Sequence, residues 1–400
     1  MRGCSPMTSV VLTVVGKVIE PNKGKTLELN RALEEYLKLV RWYVGFGITS
    51  KTKLHELTYE EAKKRFSLNT ALIQTARDKA VEILKSFSER KAEGRAKADR
   101  PAVKRVSIRL DRRAFKLDKS STKLTPYWLV VSLRRGVRIA LPLAFGSRQK
   151  QFIEETLQGL WELDSVELVK RDGVWFAHFK IKKNVVTYGA EEAKTLIGVD
   201  LGEWNAVAAA AISRDSPSRP MRGQFWGGQR IRFVRGKYAH IRRSLQRKKR
   251  LDLVKRIGSK EGRTVNQMLH EIAKGVVEYA KQFPKPVIVM EDLEGIRDRM
   301  SGDNKLLNRR LHSWSFRKLQ KYIEYKALLS GIPIVYVKPK NTSRTCHRCG
   351  FTVDEVKGRE FRCPRCGLRY NRDLNAAINI ALALTRGRGW GAVTPPRTPT

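Results

Sequence analysis

Two cysteine pairs, Cys346-x2-Cys349 and Cys363-x2-Cys366, are separated by 13 residues. Each pair sets two thiolates on one tight turn, and four thiolates complete a tetrahedral zinc site with no open position. Such a site holds a small ribbon together and does no zinc chemistry of its own. Gly350 and Gly367 each follow the second cysteine of a pair, where a positive φ is often required. Disulfides or unconnected thiols are the plain alternatives. Five cysteines are too few for a disulfide scaffold in 400 residues, and the fifth, Cys4, stands alone. Around the pairs lie Arg344, Arg348, Arg359, Arg362, Arg365, Arg369 and Arg372. They are either a phosphate-facing surface or a solvated basic one.

Three acids sit where apolar runs end. Asp200 ends the run before Gly202, Glu291 ends Val287–Met290, and Asp373 opens a segment with Leu374, Ala377, Ile378, Ala381 and Leu382 at helical spacing. Such positions put carboxylates at one sheet edge or at a helix start. Three carboxylates meeting there hold two hard cations, usually Mg²⁺. Two metals stabilise both the attacking and the leaving oxygen of a phosphodiester displacement. Each acid also has a plain reading: Asp200 as a turn residue, Glu291 as a strand exit, Asp373 as a helix N-cap. Asp292 and Glu294 are neighbouring candidates.

These groups need elements to carry them. Val10–Val15 lies in a strand-like, β-branched stretch, and helical spacing follows over Thr26–Gly47 and again from Leu68 to Phe87. Gly94–Arg100 reads as a linker. Strands are predicted over Val103–Leu110, Tyr127–Leu133, Val137–Leu143, Val166–Val169 and Val174–Ile181, the last two joined at Asp172-Gly173, a strong hairpin signal. The first half therefore reads as a β-barrel-like module, 1–190, with a helical insert at about 26–95. Beyond Thr195 the pattern changes. Strands Leu196–Val199, Ala206–Ile212, Val287–Met290 and Ile332–Val337 alternate with helices over Thr264–Phe283 and about Trp314–Leu329, which argues an α/β sheet layer. The segment 387–400 is rich in Gly, Pro and Thr and is expected to be disordered.

Composition narrows the partner. The chain carries 81 Lys and Arg against 39 Asp and Glu, a net charge of +42, with 41% apolar residues. A folded protein with that excess needs a polyanion, most simply nucleic acid, rather than a small metabolite. Gln229–Arg263 alone holds 14 basic and two acidic residues. Within it Arg242, Arg243, Arg247, Lys248, Lys249 and Arg250 are candidate backbone contacts, with Phe233 and Tyr238 near enough to stack on bases. A solvated basic helix is the plain alternative. No apolar run reaches the 18 or so residues of a membrane span, no basic amphipathic anchor is present, and the cytoplasm is the expected compartment.

The motifs GVDLG (198–202), VIVMED (287–292), the cysteine pairs and NRDLNAAINI (371–380) occur in the order found in TnpB/OrfB proteins. The text between them, WSFRKLQKYIEYKALLSGI (314–332) and KNTSRTCHRCG (340–350), is similar as well. The chain thus resembles these transposon-encoded, RNA-guided DNA endonucleases and the miniature type V CRISPR nucleases, specifically from about Thr195 to Leu384.

The resemblance implies an α/β RNase H-like (RuvC-like) core over 195–340 and 371–386, with an inserted zinc ribbon at 341–370. It implies Asp200, Glu291 and Asp373 as catalytic Mg²⁺ ligands, Cys346, Cys349, Cys363 and Cys366 as zinc ligands, and Arg344 as an arginine beside the active site. It further implies a wedge and recognition role for the N-terminal half, and guide RNA and target DNA as partners. Reading sequence through base pairing needs only a grip on heteroduplex backbone, which suits the charge. The expected reaction is two-metal hydrolysis leaving a 5′-phosphate and a 3′-hydroxyl. Two rivals stand beside it. One is a zinc-ribbon protein that binds nucleic acid without cutting. The other is an ATPase of the actin/sugar-kinase type, suggested by GVDLG, which lacks a clear second phosphate loop here.

Overall fold

The computed structural model describes residues 7–217, 220–293, 316–338, 341–356 and 358–385, which separate into two compact units, 11–183 and 1–10 with 184–400. The expected tail, Cys4, Glu294 and the start of the helix at Trp314 lie outside the described residues.

The first unit takes most of β1 (Met7–Val18), which precedes three helices, α1 (Lys23–Gly45), α2 (Lys51–Arg65) and α3 (Thr70–Ala92). Then come β2 (Ile108–Asp111), β3 (Phe115–Lys119), β4 (Tyr127–Arg134), β5 (Val137–Ala144), α4 (Ser147–Leu157), β6 (Glu162–Arg171) and β7 (Val174–Val186). The seven strands form one sheet in the order β2-β6-β7-β1-β5-β4-β3. Burial alternates residue by residue along β4, as a sheet with one covered face requires. The hairpin at Asp172-Gly173 is present. Both residues have positive φ, 47° and 81°, the conformation a tight primed turn demands.

Several elements differ from expectation, for readable reasons. Helix α3 begins at Thr70, two residues past Leu68, because the Asn69 side chain accepts from the Ala71 amide at 2.8 Å and caps it. The strand expected over Val103–Leu110 pairs only from Ile108, and the Val103 carbonyl is taken instead by the Arg41 guanidinium at 2.9 Å. Helices α2 and α4 were not anticipated. Only Leu54, Thr58 and Ala62 of α2 and Ile153 of α4 are buried, stripes too thin to register as periodicity.

The second unit contains β8 (Thr195–Asp200), β9 (Asn205–Ser213), β10 (Pro220–Gly227), α5 (Gln229–Arg247), α6 (Leu251–Ala280), β11 (Pro286–Glu291), α7 (Phe316–Leu329) and β12 (Ile334–Val337). A short hairpin, β13 (Glu360–Arg362) and β14 (Arg369–Asn371), leads into α8 (Arg372–Leu382). The main sheet has the order β10-β9-β8-β11-β12. Strands β9 and β10 run antiparallel, whereas β8, β11 and β12 are mutually parallel. Both faces are covered, so β8 and β11 are continuous apolar runs rather than alternating ones. Ile197, Val199, Ile288 and Met290 face the side packed with α6 and α7 residues, such as Val276, Leu319 and Ile323. Leu196, Val287 and Val289 face the side packed with Ala377, Ile378 and Ala381 of α8. Helix α6 starts 13 residues before the expected Thr264. Its polar first half is tied to α5 by the Arg242–Glu261 ion pair.

Gly198 is the tightest point of this sheet. A Cβ there would lie 1.8 Å from the Ala377 carbonyl oxygen and 2.8 Å from the Ala381 amide nitrogen, so α8 rests its backbone directly on β8. Gly198→Ala is expected to push α8 away and to destabilise the second unit by at least about 1–3 kcal/mol, the usual cost of overpacking. A urea-denaturation midpoint equal to that of the parent would contradict this.

Candidate functional site

Parallel pairing of β8 with β11 puts the ends of both strands at one edge, with Met290 opposite Val199. Asp200 and Glu291 are the residues that follow those two. Helix α8 brings the third acid. The N-cap of α8 is Asn371, whose side chain accepts from the amides of Asp373 (3.0 Å) and Leu374 (3.1 Å). Asp373 is therefore not the cap, and its carboxylate is released from that job to face β8 and β9. Asn205, at the start of β9, donates to Asp373 Oδ2 at 2.7 Å, and Arg359 donates to the same oxygen at 2.9 Å.

The three acids act on one another. Burial pushes the Asp200 carboxyl well above the usual carboxylate range, and the charges of Glu291 and then Asp373 push it further. Arg372 and the Leu201 amide pull the other way. Burial also raises Glu291, offset by the Thr342 hydroxyl, which donates to its Oε1 at 2.6 Å. Asp200 thus feels both other carboxylates, with Arg359 and Arg372 as the nearby positive charges, while among the described residues only the four cysteines bring their ligand atoms within 4.8 Å of one another. Carboxylate oxygens are the donor type that hard divalent cations take.

The rest of the predicted set divides. Asp292 donates its backbone N–H to Val337 at 2.8 Å, and its charge is felt, as a lesser influence after burial and Glu324, at the Tyr336 hydroxyl. Arg344 is exposed and folded back on its own loop. It donates to the Asp354 carbonyl at 3.1 Å and to Asn341 Oδ1 at 2.5 Å. In the basic block, Arg242 pairs with Glu261 and Arg250 with Asp252 (3.1 Å). Arg243, Arg247, Lys248 and Lys249 are exposed at the end of α5 and the turn after it. Phe233 on the same helix is 71% exposed, an aromatic left in water on a basic surface.

The four cysteines converge. Their sulfurs all lie within 4.8 Å of one another, with Cys346–Cys366 at 3.6 Å and Cys349–Cys363 at 3.5 Å. The amides of Gly350 and Gly367 close the two knuckles onto the carbonyls of Cys346 (2.9 Å) and Cys363 (3.0 Å). Both glycines have positive φ, 74° and 71°, as the spacing required. Phe361 and Leu368 pack against the sulfurs in a core of a few side chains. Burial pushes the Cys346 thiol up to about 12, whereas at Cys363 hydrogen bonds, the Cys366 amide first, outweigh burial and bring the thiol down to about 7.

A buried polar network joins the cysteine knuckle to α8 and was not anticipated. Asn375 Oδ1 accepts from the His347 amide (3.1 Å) and ring Nδ1 (2.9 Å), and its Nδ2 donates to the Thr345 carbonyl at 2.8 Å. Asn379 Nδ2 donates to the carbonyls of Thr342 (2.8 Å) and Thr345 (2.6 Å). From α7, buried Gln320 donates to the Glu291 carbonyl at 2.6 Å. The available signal was two asparagines four apart on the apolar face of a helix, where asparagine has no packing reason to be.

The chain is similar to several known proteins. Residues 316–380 match the family model "Cas12f1-like, TNB domain", and 25–125 match "Uncharacterized protein MJ0013 family". A TnpB-like protein of Methanocaldococcus jannaschii is 28% identical over 248 residues, 60% of this chain and 85% of that protein. A CRISPR-associated endodeoxyribonuclease Cas12f2 of a Micrarchaeota archaeon is 41% identical over 133 residues, which span 31% of this chain and only 24% of that protein. A solved Cas12f1–sgRNA–target DNA complex superposes with a TM-score of 0.65 at 18% identity, covering 89% of this chain and 82% of that one.

The raised Asp200 pKa carries a stability sign. Its folded value lies above the unfolded one, so the unfolded chain releases the proton first. Stability is then lost as pH climbs from the unfolded value through the folded one. Without divalent metal, Asp200→Asn is expected to melt higher than the parent at neutral pH and to show a flatter pH profile. Thermal melts between pH 4 and 8, in Mg²⁺-free buffer with zinc retained, check this. A variant melting below the parent at pH 7 would argue that the carboxylates do not repel.

Proposed function

We propose, from the premise that this chain belongs with the TnpB-like proteins and their Cas12f relatives, that it is an RNA-guided DNA endonuclease. The observation that supports the reading is that Asp200, at the end of β8, feels the charges of Glu291, at the end of β11, and of Asp373, at the start of α8. The sheet order β10-β9-β8-β11-β12, with acids at the ends of β8 and β11 and at the start of the helix packed on β8, supports an RNase H-like core. Guide RNA and target DNA are the partners that match a charge of +42.

In this reading Asp200, Glu291 and Asp373 hold the catalytic cations. Magnesium, when bound, supplies the positive charge that the attacking and leaving oxygens of a phosphodiester need. The chain's own residues do the positioning. Asn205 fixes the Asp373 carboxylate, Thr342 fixes that of Glu291, and Gln320 fixes the backbone at the end of β11. Arg344 lies on the loop next to Thr342 and is the candidate to bind phosphate once it leaves Asn341. Arg243, Arg247, Lys248 and Lys249 offer exposed charge for backbone phosphates. Zinc in the four-cysteine cluster has a structural role, holding the knuckle from which Thr342 and Thr345 reach Glu291 and α8.

Replacing Asp200, Glu291 or Asp373 by Ala is expected to lower Mg²⁺-dependent cleavage of a guide-matched duplex by at least about 10²-fold, with binding kept. Scoring bound and nicked DNA together decides between this and a protein that only binds. Binding without nicking by the parent in Mg²⁺ would favour the latter.

Removing zinc is expected to open the 341–370 segment to protease, because so small a core depends on its metal to fold. An unchanged cleavage pattern after zinc removal would sink the structural-metal assignment.

A further inference from the structure

Strand β10 is an edge strand pinned from both faces. On one face the Trp226 indole fills the notch left by Gly275 of α6, where a Cβ would lie 2.5 Å from its Nε1, and it meets Tyr279 edge-on at 6.0 Å. On the other face Gly223 makes room for Leu374 of α8, whose Cδ2 would lie 2.8 Å from a Cβ there. Phe225 stands between these anchors in sequence, points away from α6 as its neighbour Trp226 points toward it, and is 41% exposed. Edge strands usually carry charge at such open positions. In a chain of net charge +42, a half-open phenyl ring is the opposite choice.

The register shows what that ring stands beside. Phe225 pairs with Ala208 of β9, and Ala208 pairs with Asp200 of β8. Cross-strand partners share a face, so ring and carboxylate stand in one row, two strands or about 10 Å apart along the backbone. Only the methyl group of Ala208 lies between them in that row. The first turn of α8 straddles the row. Leu374 packs at Gly223 on one side of it, and on the other Asp373 accepts from Asn205, the partner of Gly227.

An open aromatic face in line with a carboxylate cluster suits one kind of ligand group. The acids repel a phosphate until cations arrive, whereas a neutral ring repels nothing. Its flat face offers a nucleobase a stacking partner, and every base has a π-face to use it. We infer that Phe225 stacks a base of the strand being cut, close to the scissile phosphate, and so sets which phosphate reaches the carboxylates. It is a positioning residue. The inference rests on the endonuclease reading and adds to it a contact with the base, where the roles above hold only acids and backbone.

The test uses the full chain with guide RNA and a guide-matched duplex. Target strands carry 5-iodouracil at successive positions around the cut, and Asp200→Asn holds them uncut during irradiation. Mass spectrometry of the cross-linked peptides is expected to find Phe225 joined to one position. Phe225→Leu is expected to lower kcat/KM about tenfold, ~1.4 kcal/mol, and to spread cleavage over neighbouring phosphates, with Phe225→Trp restoring both. The salt dependence of binding should stay as in the parent, because no phosphate contact is lost. An abasic nucleotide at the cross-linking position should cost the parent the same factor and cost Phe225→Leu nothing more. Cross-links that avoid Phe225, or an abasic penalty equal in parent and variant, would overturn the stacking role, while loss of nicking in Asp200→Ala would keep the endonuclease reading. A parent that binds the duplex in Mg²⁺ without nicking it would overturn both.

Discussion

The second unit depends on one backbone contact, the seating of α8 on β8 at Gly198. With no side chain at that position, the carbonyl of Ala377 and the amide of Ala381 come within a distance that a Cβ would occupy. The closeness does more than fill space. It fixes how far the start of α8 stands from the end of β8, and so how far Asp373 stands from Asp200. The parallel pairing of β8 with β11 fixes the third distance, to Glu291, through main-chain hydrogen bonds that no side chain can renegotiate.

What the seating brings together resists being together. Two of the three carboxyls are raised mainly by burial, and Asp200 also carries the repulsion of its neighbours. The surrounding structure must hold them against that push. It does so with half-buried and buried amides and hydroxyls: Asn205 on Asp373, Thr342 on Glu291, and Asn375 and Asn379 on the cysteine knuckle. Asn375 and Asn379 tie that knuckle to the same helix that carries an acid. Stability of the cysteine cluster and geometry of the carboxylates are therefore linked through α8. Losing a buried partner in such a network costs about 1–3 kcal/mol, because the group left behind has no water.

Much of this was legible in the chain itself. The strands that carry acids announce themselves as short apolar runs ending in Asp or Glu, since a strand buried on both faces admits nothing polar before its exit. The cysteine spacing and the two following glycines gave the knuckles down to their positive φ. The resemblance to TnpB-like proteins was readable from motif order, and similarity to a TnpB-like protein, 28% identical over 60% of this chain, agrees with it. Other features were not legible. For Asp373 a cap stayed open beside the ligand role, because sequence cannot say which of Asn371 and Asp373 caps the helix. Helix α2 buries three residues in fifteen, so its period vanished among charges. The partners of the acids, Asn205, Thr342 and Gln320, come from three separate elements, and only folding shows that they converge.

Helix α8 also sets an order of events during synthesis. Asp200 and Glu291 leave the ribosome first, followed by both cysteine pairs, and Asp373 comes only afterwards. The first two acids can take their places on paired strands while the face of the sheet that receives α8 is still open. The carboxylate cluster is complete only when α8 emerges and finds Gly198. A nascent chain therefore carries most of its basic residues before it owns the full set of acids.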